Sequence, residues 1–518
     1  MGPASRRSSA IVRNPKEPFV VMMTTCSVAR RARAAVVAAA VLATAACSSS
    51  GGGAAKGALP AIPITGKAAS SATLQSAVKH VIVVVLENRS FDNLFADDPA
   101  LANTRNGPVN VDGGKTARTP AGVQPLVSDS LSTSGADAGH SHQDFLRQFD
   151  GGKNDGWYDG KTTGNNIEIG FVPGTEVQPY YDIASEFAIS DNFFHGVTAP
   201  TWPSHVEIGA ATTYGIIDNP SDNTWGCDAA PGTTTGLFSA SAPGEELPKA
   251  GPFPCLDELS IFDLLDRGVP APVSWKYYVA PEGNDITGNL NIAADFRHIR
   301  FGPDWNTDIA PSDATFLTDL SGGALPQVSF VIPNDASTDH AGTPSLGPTY
   351  IENLVDQFGA SPYFANSVML ITWDDWGGWY DHVTPPKRAD GSQLSFRKPI
   401  LFVGGLVKSN YVSHVQTEDA SIAKTIEEIF GLGTLGTHDV TANGFEDVID
   451  PTQTALTFKP ITSLQGAAVT TPVGVIKLGA SRAGTARFRV IPGNFLKYEG
   501  SDTFAAHNDY YGARSADY

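Results

Sequence analysis

The chain has 518 residues, 41% of them hydrophobic and 17% charged, which is enough apolar material for a large core. Its 35 Lys and Arg against 54 Asp and Glu leave a formal net charge of −19. Such an acidic surface repels phosphate backbones and anionic lipid, which argues against a nucleic-acid binder and implies that any phosphate-bearing ligand is captured locally, by a cation.

The first 47 residues stand apart from the fold. Arg30, Arg31 and Arg33 precede a short apolar run of small residues at 34–46, and Cys47 follows in LATAACSSSGGG. That order is an export signal, and the run is well short of the roughly 20 residues a membrane span needs. Residues 1–21 add nothing to it, so Met22 or Met23 is an alternative start. A small-residue site before cysteine resembles a bacterial lipoprotein processing site and makes Cys47 a lipidation candidate. Thr44 stands where such sites usually carry Leu, and simple signal-peptidase cleavage is the competing outcome. Either way the product is exported, to the outside or to the cell envelope. Residues 1–47 hold seven Lys or Arg and one acidic residue, so the remainder carries a net −25. The Gly, Ala and Pro-rich stretch at 48–75 reads as a flexible tether, 76–455 as one folded domain, and 456–518 as a C-terminal extension with no repeats.

From residue 78 onward, apolar strand patterns at 81–86, 273–279, 328–332, 368–372 and 400–404 alternate with helical patterns at 261–267, 350–358 and 420–430. HVIVVVL, starting at His80, has neither a helical nor an alternating period, and its β-branched residues suit a strand buried on both faces of a parallel sheet. SVMLIT, starting at Ser367, is of the same kind. The expected fold is α/β, a mostly parallel central sheet with helices on both faces. Segments 102–138 and 219–254, rich in Gly, Pro, Ser, Thr, Asn and Asp, read as long loop insertions around the mouth of a site. Once the signal is removed, Cys227 and Cys255 are the only cysteine pair of an exported chain. A disulfide between them is expected to contribute roughly 3.5 kcal/mol on the chain-entropy model.

Both apolar strands run into oxygen donors, Glu87 and Asn88 after the first and Asp374 and Asp375 after the second. The carboxyl ends of parallel strands are where open α/β sheets place ligands. Adjacent carboxylates after a buried strand repel each other unless something positive lies beside them. Singly, each pair reads equally well as a helix cap or a solvated loop. Together the four suit one divalent cation with oxygen ligands, Ca²⁺, Mg²⁺ or Mn²⁺. In FFHGVTAPTWPSH, Pro200 and Pro203 flank Thr201 and predict a rigid loop. A threonine hydroxyl is a poor nucleophile that a cation can activate, so Thr201 is the nucleophile candidate. His142, His195 and His205 lie near these segments in sequence only and read as structural or surface residues.

The segments ENRSFDNLF at Glu87, DAGHSHQ at Asp137, TAPTWPSH at Thr198, SWKYY at Ser274, DASTDHAG at Asp335 and TWDDWGGWYDHVTPP at Thr372 resemble, in order, those of a bacterial phosphoesterase family. That family contains phospholipase C and acid phosphatase members within the wider alkaline phosphatase superfamily. The resemblance spans roughly 79–435 and implies an alkaline-phosphatase-like core acting on a phosphate ester, either a phospholipid head group or a small phosphomonoester; the chain is expected to act as a monomer. A membrane would be met only through a lipid anchor or a lipid substrate. Residue by residue it implies Glu87, Asn88, Asp374 and Asp375 as metal ligands, Thr201 as nucleophile, and His140 and His340 beside the phosphoryl oxygens. Two positions depart from the pattern. Pro203-Ser204-His205 replaces Pro-Asn-Arg or Pro-Asn-His, leaving Ser204 as a rival nucleophile, and His340-Ala341 replaces His-Pro.

His382 is read as orienting Asp381, supporting the metal shell, or serving as a hydrogen-bonded structural residue. Arg89 is read as holding a carboxylate or a substrate oxygen. Two other functions compete. The Thr201-Trp-Pro-Ser-His order is similar to the sulfatase layout, but threonine cannot be oxidised to the aldehyde that sulfatases use. A lipid-anchored protein could also bind a phosphorylated ligand without turnover.

Overall fold

The computed structural model describes residues 71–461, apart from 99–103, 105, 132–137, 159–165, 239–245, 248–250, 280–289, 311–312 and 342–344, together with strands between 475 and 498. The expected export signal, Cys47 and residues 48–70 of the expected tether lie outside the described residues. Residues 71–75, placed in the tether by composition, are helical. Helix α1, Ser71–Ala77, buries Leu74, and Val78 follows it into the core.

Eight strands form the central sheet. In chain order they are β1 His80–Leu86, β2 Ala188–Ser190, β3 Trp275–Val279, β4 Ile309–Ala310, β5 Val328–Ile332, β6 Ser367–Trp373, β7 Ile400–Val403 and β8 Tyr411–Ser413. Their spatial order is β4-β3-β5-β1-β6-β7-β2-β8. All neighbours pair in parallel except β7, which runs antiparallel to both β6 and β2. Every residue of β5 and β6, and all of β1 after His80, is buried. Successive side chains point to opposite faces, so the middle of the sheet is covered on both sides, as the unbroken apolar runs predict.

The helices that matter below are α2 Phe91–Phe95, α3 His142–Phe149, α4 Gly174–Glu186, α5 Thr201–Ala210, α6 Ile261–Asp266, α7 Gly347–Ala360 and α8 Ala420–Phe430. α7 packs on α4, while α8 packs on α5 and α1. The proline-framed segment read as a rigid loop is in fact the start of α5. Pro200 occupies the cap position and Pro203 the first turn, where a missing N–H leaves no intrahelical bond unmade.

Cys227 and Cys255 form the expected disulfide. It clips the 219–254 insertion to the segment before α6, where the Leu256 N–H bonds the Asp295 carbonyl at 2.7 Å. Of the C-terminal extension, Ile461 is buried and its N–H donates to Asp356 at 2.8 Å. Val475–Ile476, Phe488–Ile491 and Asn494–Tyr498 form a separate three-stranded antiparallel sheet. No helix among the described residues is long and apolar enough to cross a membrane.

Candidate active site

Strand direction decides which residues meet. β1 and β6 are parallel neighbours in register, Leu86 opposite Trp373, so Glu87-Asn88 and Asp374-Asp375 emerge side by side at one edge of the sheet. The backbones lock there. The Asp374 N–H bonds the Leu86 carbonyl at 2.8 Å, the Asn88 N–H donates to Asp374 Oδ1 at 2.8 Å, and the Arg89 N–H reaches the Asp375 carbonyl at 3.2 Å. Because β7 runs the other way, its amino end lies at this same edge and delivers Arg397 and Lys398. Lys398 Nζ donates to the Asp374 carbonyl at 2.5 Å and pairs with Asp419 at 2.6 Å.

Asn88, Asp374 and Asp375 are fully buried, and both polar atoms of the Asn88 amide and one oxygen of each aspartate have no hydrogen-bond partner. Burial, reinforced by the neighbouring Asp374 charge, drives the Asp375 carboxyl well above its ordinary range. Buried, unpaired oxygens crowding one another are what an oxygen-ligated divalent cation relieves, so this donor set fits such an ion. One ligand atom each from Glu87, His205 and Asp374 lie within 4.8 Å of one another. Asp375 instead accepts the Gly377 N–H at 2.6 Å and turns its other oxygen toward His140 Nε2 at 3.9 Å.

His205 corrects the sequence reading. It is no bystander, since its Nε2 sits 3.3 Å from Glu87 Oε1. Burial, aided by the Lys398 charge and opposed by Asp374, lowers its pKa to about 4, leaving a neutral ring that can accept or coordinate. Thr201 lies four residues earlier on the same helix, hence on the same face one turn toward the amino end. α5 therefore meets Glu87 and Asp374 through His205, with Thr201 in its first turn and 7% exposed. Ser204 is otherwise engaged. Fully buried, it donates to the Pro200 carbonyl at 2.9 Å and meets His195 Nε2 at 2.7 Å. Asp419 approaches that same nitrogen, at 4.0 Å, rather than the far one, so Ser204, His195 and Asp419 do not make a catalytic triad. His142, expected to be a structural or a surface residue, is buried and holds Thr198 through Nδ1, at 2.7 Å to the carbonyl and 2.9 Å to the hydroxyl.

Two glycines explain the Trp-Gly-Gly-Trp turn. Gly377 and Gly378 have φ of 60° and 73°, and a Cβ on either would lie 2.2 Å from the Asn88 carbonyl oxygen or 2.4 Å from that of Gly139. Only glycine lets this turn close against Asn88 and the residue before His140. His340 follows a loop tied to the sheet by the Glu87 N–H, which donates to the Thr338 carbonyl at 2.7 Å. Asp137 lies outside the described residues.

Three further expectations resolve into structure. Arg89 donates to the Asp339 carbonyl at 2.7 and 3.0 Å, to the Leu131 carbonyl and to the Asn93 side chain, and so braces backbone around the site. Asp381 takes Arg397 through both oxygens at 2.9 Å. His382 Nδ1 bonds Asp92 at 2.6 Å, which fits its hydrogen-bonded structural role.

Comparison with known proteins now fixes the family. The sequence profile of the Phosphoesterase family matches residues 78–433. The chain belongs to the Phosphoesterase family. It is thereby an enzyme acting on phosphate esters. Non-specific phospholipase C1 of Arabidopsis thaliana is 25% identical over 428 residues, covering 72% of this chain and 71% of the relative. Phospholipase C B of Mycobacterium tuberculosis is 24% identical over 416 residues, covering 68% and 74%. Among solved structures, an alkaline phosphatase superfamily protein from Vibrio parahaemolyticus aligns over 72% of this chain and 71% of its own at 10% identity, with a TM-score of only 0.34. For this phosphoesterase, sequence reading missed His205, Lys398, Asp419 and Arg397. One signal was legible, two cations separated by a single proline from the apolar run at 400–403.

Proposed function

We propose that this phosphoesterase is a metal-dependent hydrolase of the phospholipase C or acid phosphatase type that works through a phosphothreonine intermediate on Thr201. The observation that carries the reading is the set of buried, unpaired oxygens on Asn88, Asp374 and Asp375, with Asp374 and Glu87 gathered beside His205 of α5. Glu87, Asn88, Asp374 and Asp375 would hold one Ca²⁺, Mg²⁺ or Mn²⁺, with His205 drawn into the same cluster. When bound, that cation supplies Lewis-acid stabilisation of phosphoryl charge and lowers the pKa of a nearby hydroxyl.

The remaining steps belong to the chain. Thr201 attacks phosphorus in line with the leaving alkoxide, and the helix amino end behind it favours the accumulating negative charge. His140 and His340 donate protons or hydrogen bonds to the leaving oxygen. Water then attacks the phosphorus, restores the threonine hydroxyl and releases phosphate from a monoester or the phosphorylated head group from a diester. Lys398, clamped between the Asp374 carbonyl and Asp419, keeps a positive charge behind the ligand set. The phospholipase C names of the relatives support a phospholipid or other phosphate ester as substrate. The residue order at 30–47 supports export, with Cys47 as an anchor point, and the chain is read as acting as a monomer.

The test is hydrolysis of p-nitrophenyl phosphate and p-nitrophenylphosphorylcholine with and without EDTA. Product formation abolished by EDTA and by Thr201→Ala supports the reading. Tight phosphate binding without turnover replaces it with a binding protein.

A further inference from the structure

Asp339, immediately before His340, is fully buried and sits at φ 71°, a left-handed backbone that Asp and Asn adopt more readily than other residues with a Cβ. Four side chains hold it. Its carboxylate accepts Tyr180 Oη at 2.6 Å and Trp373 Nε1 at 3.2 Å on one oxygen, and Ser345 Oγ at 2.6 Å on the other. Its carbonyl accepts two N–H groups of Arg89, at 2.7 and 3.0 Å. Arg89 directly follows Glu87-Asn88, and Trp373 directly precedes Asp374-Asp375. Asp339 is thus the knot where both ligand-bearing strand ends are tied to the loop that presents His340.

We propose that Asp339 is a positioning residue that holds the His340 imidazole toward the leaving oxygen of the substrate. The inference rests on His340 acting as a proton donor in the reaction described above. A carboxylate suits the knot because all three side chains around it donate. An asparagine would keep the shape and tolerate the backbone, but its amide nitrogen cannot accept, so the hydrogen bond from Tyr180 and Trp373 or the one from Ser345 is lost or reversed.

The experiment measures kcat/KM for wild type, Asp339→Asn, His340→Ala and the double variant on p-nitrophenyl and ethyl esters of the phosphoryl group that the wild type hydrolyses. A good leaving group needs no proton, and a poor one does. Asp339→Asn should therefore cost about 30-fold on the ethyl ester and no more than about threefold on the p-nitrophenyl ester. In the His340→Ala background the ethyl-ester loss should shrink to within about threefold, because the two residues act as one unit. Equal losses on both esters, an undiminished loss in the His340→Ala background, or no loss at all overturns the proposal. If His340→Ala itself leaves the ethyl ester unaffected, the proton-donor reading falls as well. Should Asp339→Asn fail to fold, Ser345→Ala removes one donor from the same knot and is judged by the same epistasis at a smaller loss.

Discussion

Two clusters of buried carboxylates stand at the same edge of the sheet, and they are equally dry. Asp92 and Asp381 are fully buried, and so are Asp374 and Asp375. In the first cluster every oxygen is used. Asp92 accepts from the backbone of Asp112, Arg397 Nη2, and the backbone and ring of His382, while Asp381 accepts from Arg397 Nε and Nη2 and from the backbones of Val383 and Asp92. In the second, one oxygen of each aspartate has no hydrogen-bond partner, although His140 and Lys398 lie close. Burial therefore does not separate a structural carboxylate from a functional one here. Pairing does, because a buried charge without a partner costs several kcal/mol and is kept only where something else compensates it.

The largest expected effect tests whether the unpaired cluster is catalytic at all. Thr201→Ala should lower kcat on the order of a thousandfold or more while leaving the melting temperature nearly unchanged, because the nucleophile and its partners act as a unit. Comparable activity in this variant by steady-state assay would move the chemistry elsewhere. Ser204, already bonded to Pro200 and His195, would be the first place to look.

The next effect belongs to the paired cluster. Asp381→Asn leaves the Arg397 guanidinium buried and short of its main acceptor, and should destabilise the protein by about 3–5 kcal/mol in urea unfolding. Its activity at low temperature, where the fold persists, should stay near wild type. A large activity loss with unchanged stability would instead place Asp381 in the catalytic machinery.

The contrast also explains what the sequence disclosed. The strands at 81–86, 328–332 and 368–372 were legible to within a residue or two because burial on both faces demands an unbroken apolar run. β2, β4 and β8 are only two or three residues long and are imposed by their neighbours, so no local pattern announces them. α4 carries Pro179 inside and a kink at Val177, which hides its helical period. Glu87, Asn88, Asp374 and Asp375 could be read because they end such strands. Lys398 and Arg397 could not be placed, because their position at this edge depends on β7 running antiparallel, and direction is not written in a four-residue apolar run. His205 was hidden by the mistaken loop, since its relation to Thr201 exists only on a helix.

Removing a charge from the unpaired cluster should act with the opposite sign. In metal-free protein Asp375→Asn relieves repulsion from Asp374 and should raise the melting temperature. With Mn²⁺ or Mg²⁺ at a hundredfold excess over the dissociation constant, wild type should gain about 2.7 kcal/mol. The variant should gain almost none of this, as read by thermal shift after EDTA treatment and metal return. Equal metal stabilisation of both would exclude Asp375 from the ligand set.

The smallest effect is pH-dependent and confined to the paired cluster. Burial pushes Asp92 up, but the charge and hydrogen bond of His382, together with Arg397, outweigh it and hold the carboxyl at about 2. Asp92 therefore contributes stability that is complete above its unfolded value near 4 and is lost as the pH falls toward 2, on the order of 2 kcal/mol. His382 behaves in the mirror sense. Burial lowers its pKa, yet Asp92 more than offsets this and raises it above the ordinary histidine value, so its contribution is complete below pH 6.5 and is lost as the pH rises through the folded value. His414 and His438 are also raised, by Asp191 and Glu207 respectively, so the alkaline limb is shared. The informative quantity is the difference between wild type and His382→Gln across pH 5 to 9. That difference should be largest at the acid end of the range and shrink steadily above pH 6.5. A difference that stays constant with pH would mean that His382 stabilises the cluster by shape alone, and that Asp92 and Asp381 are neutralised by Arg397 without it.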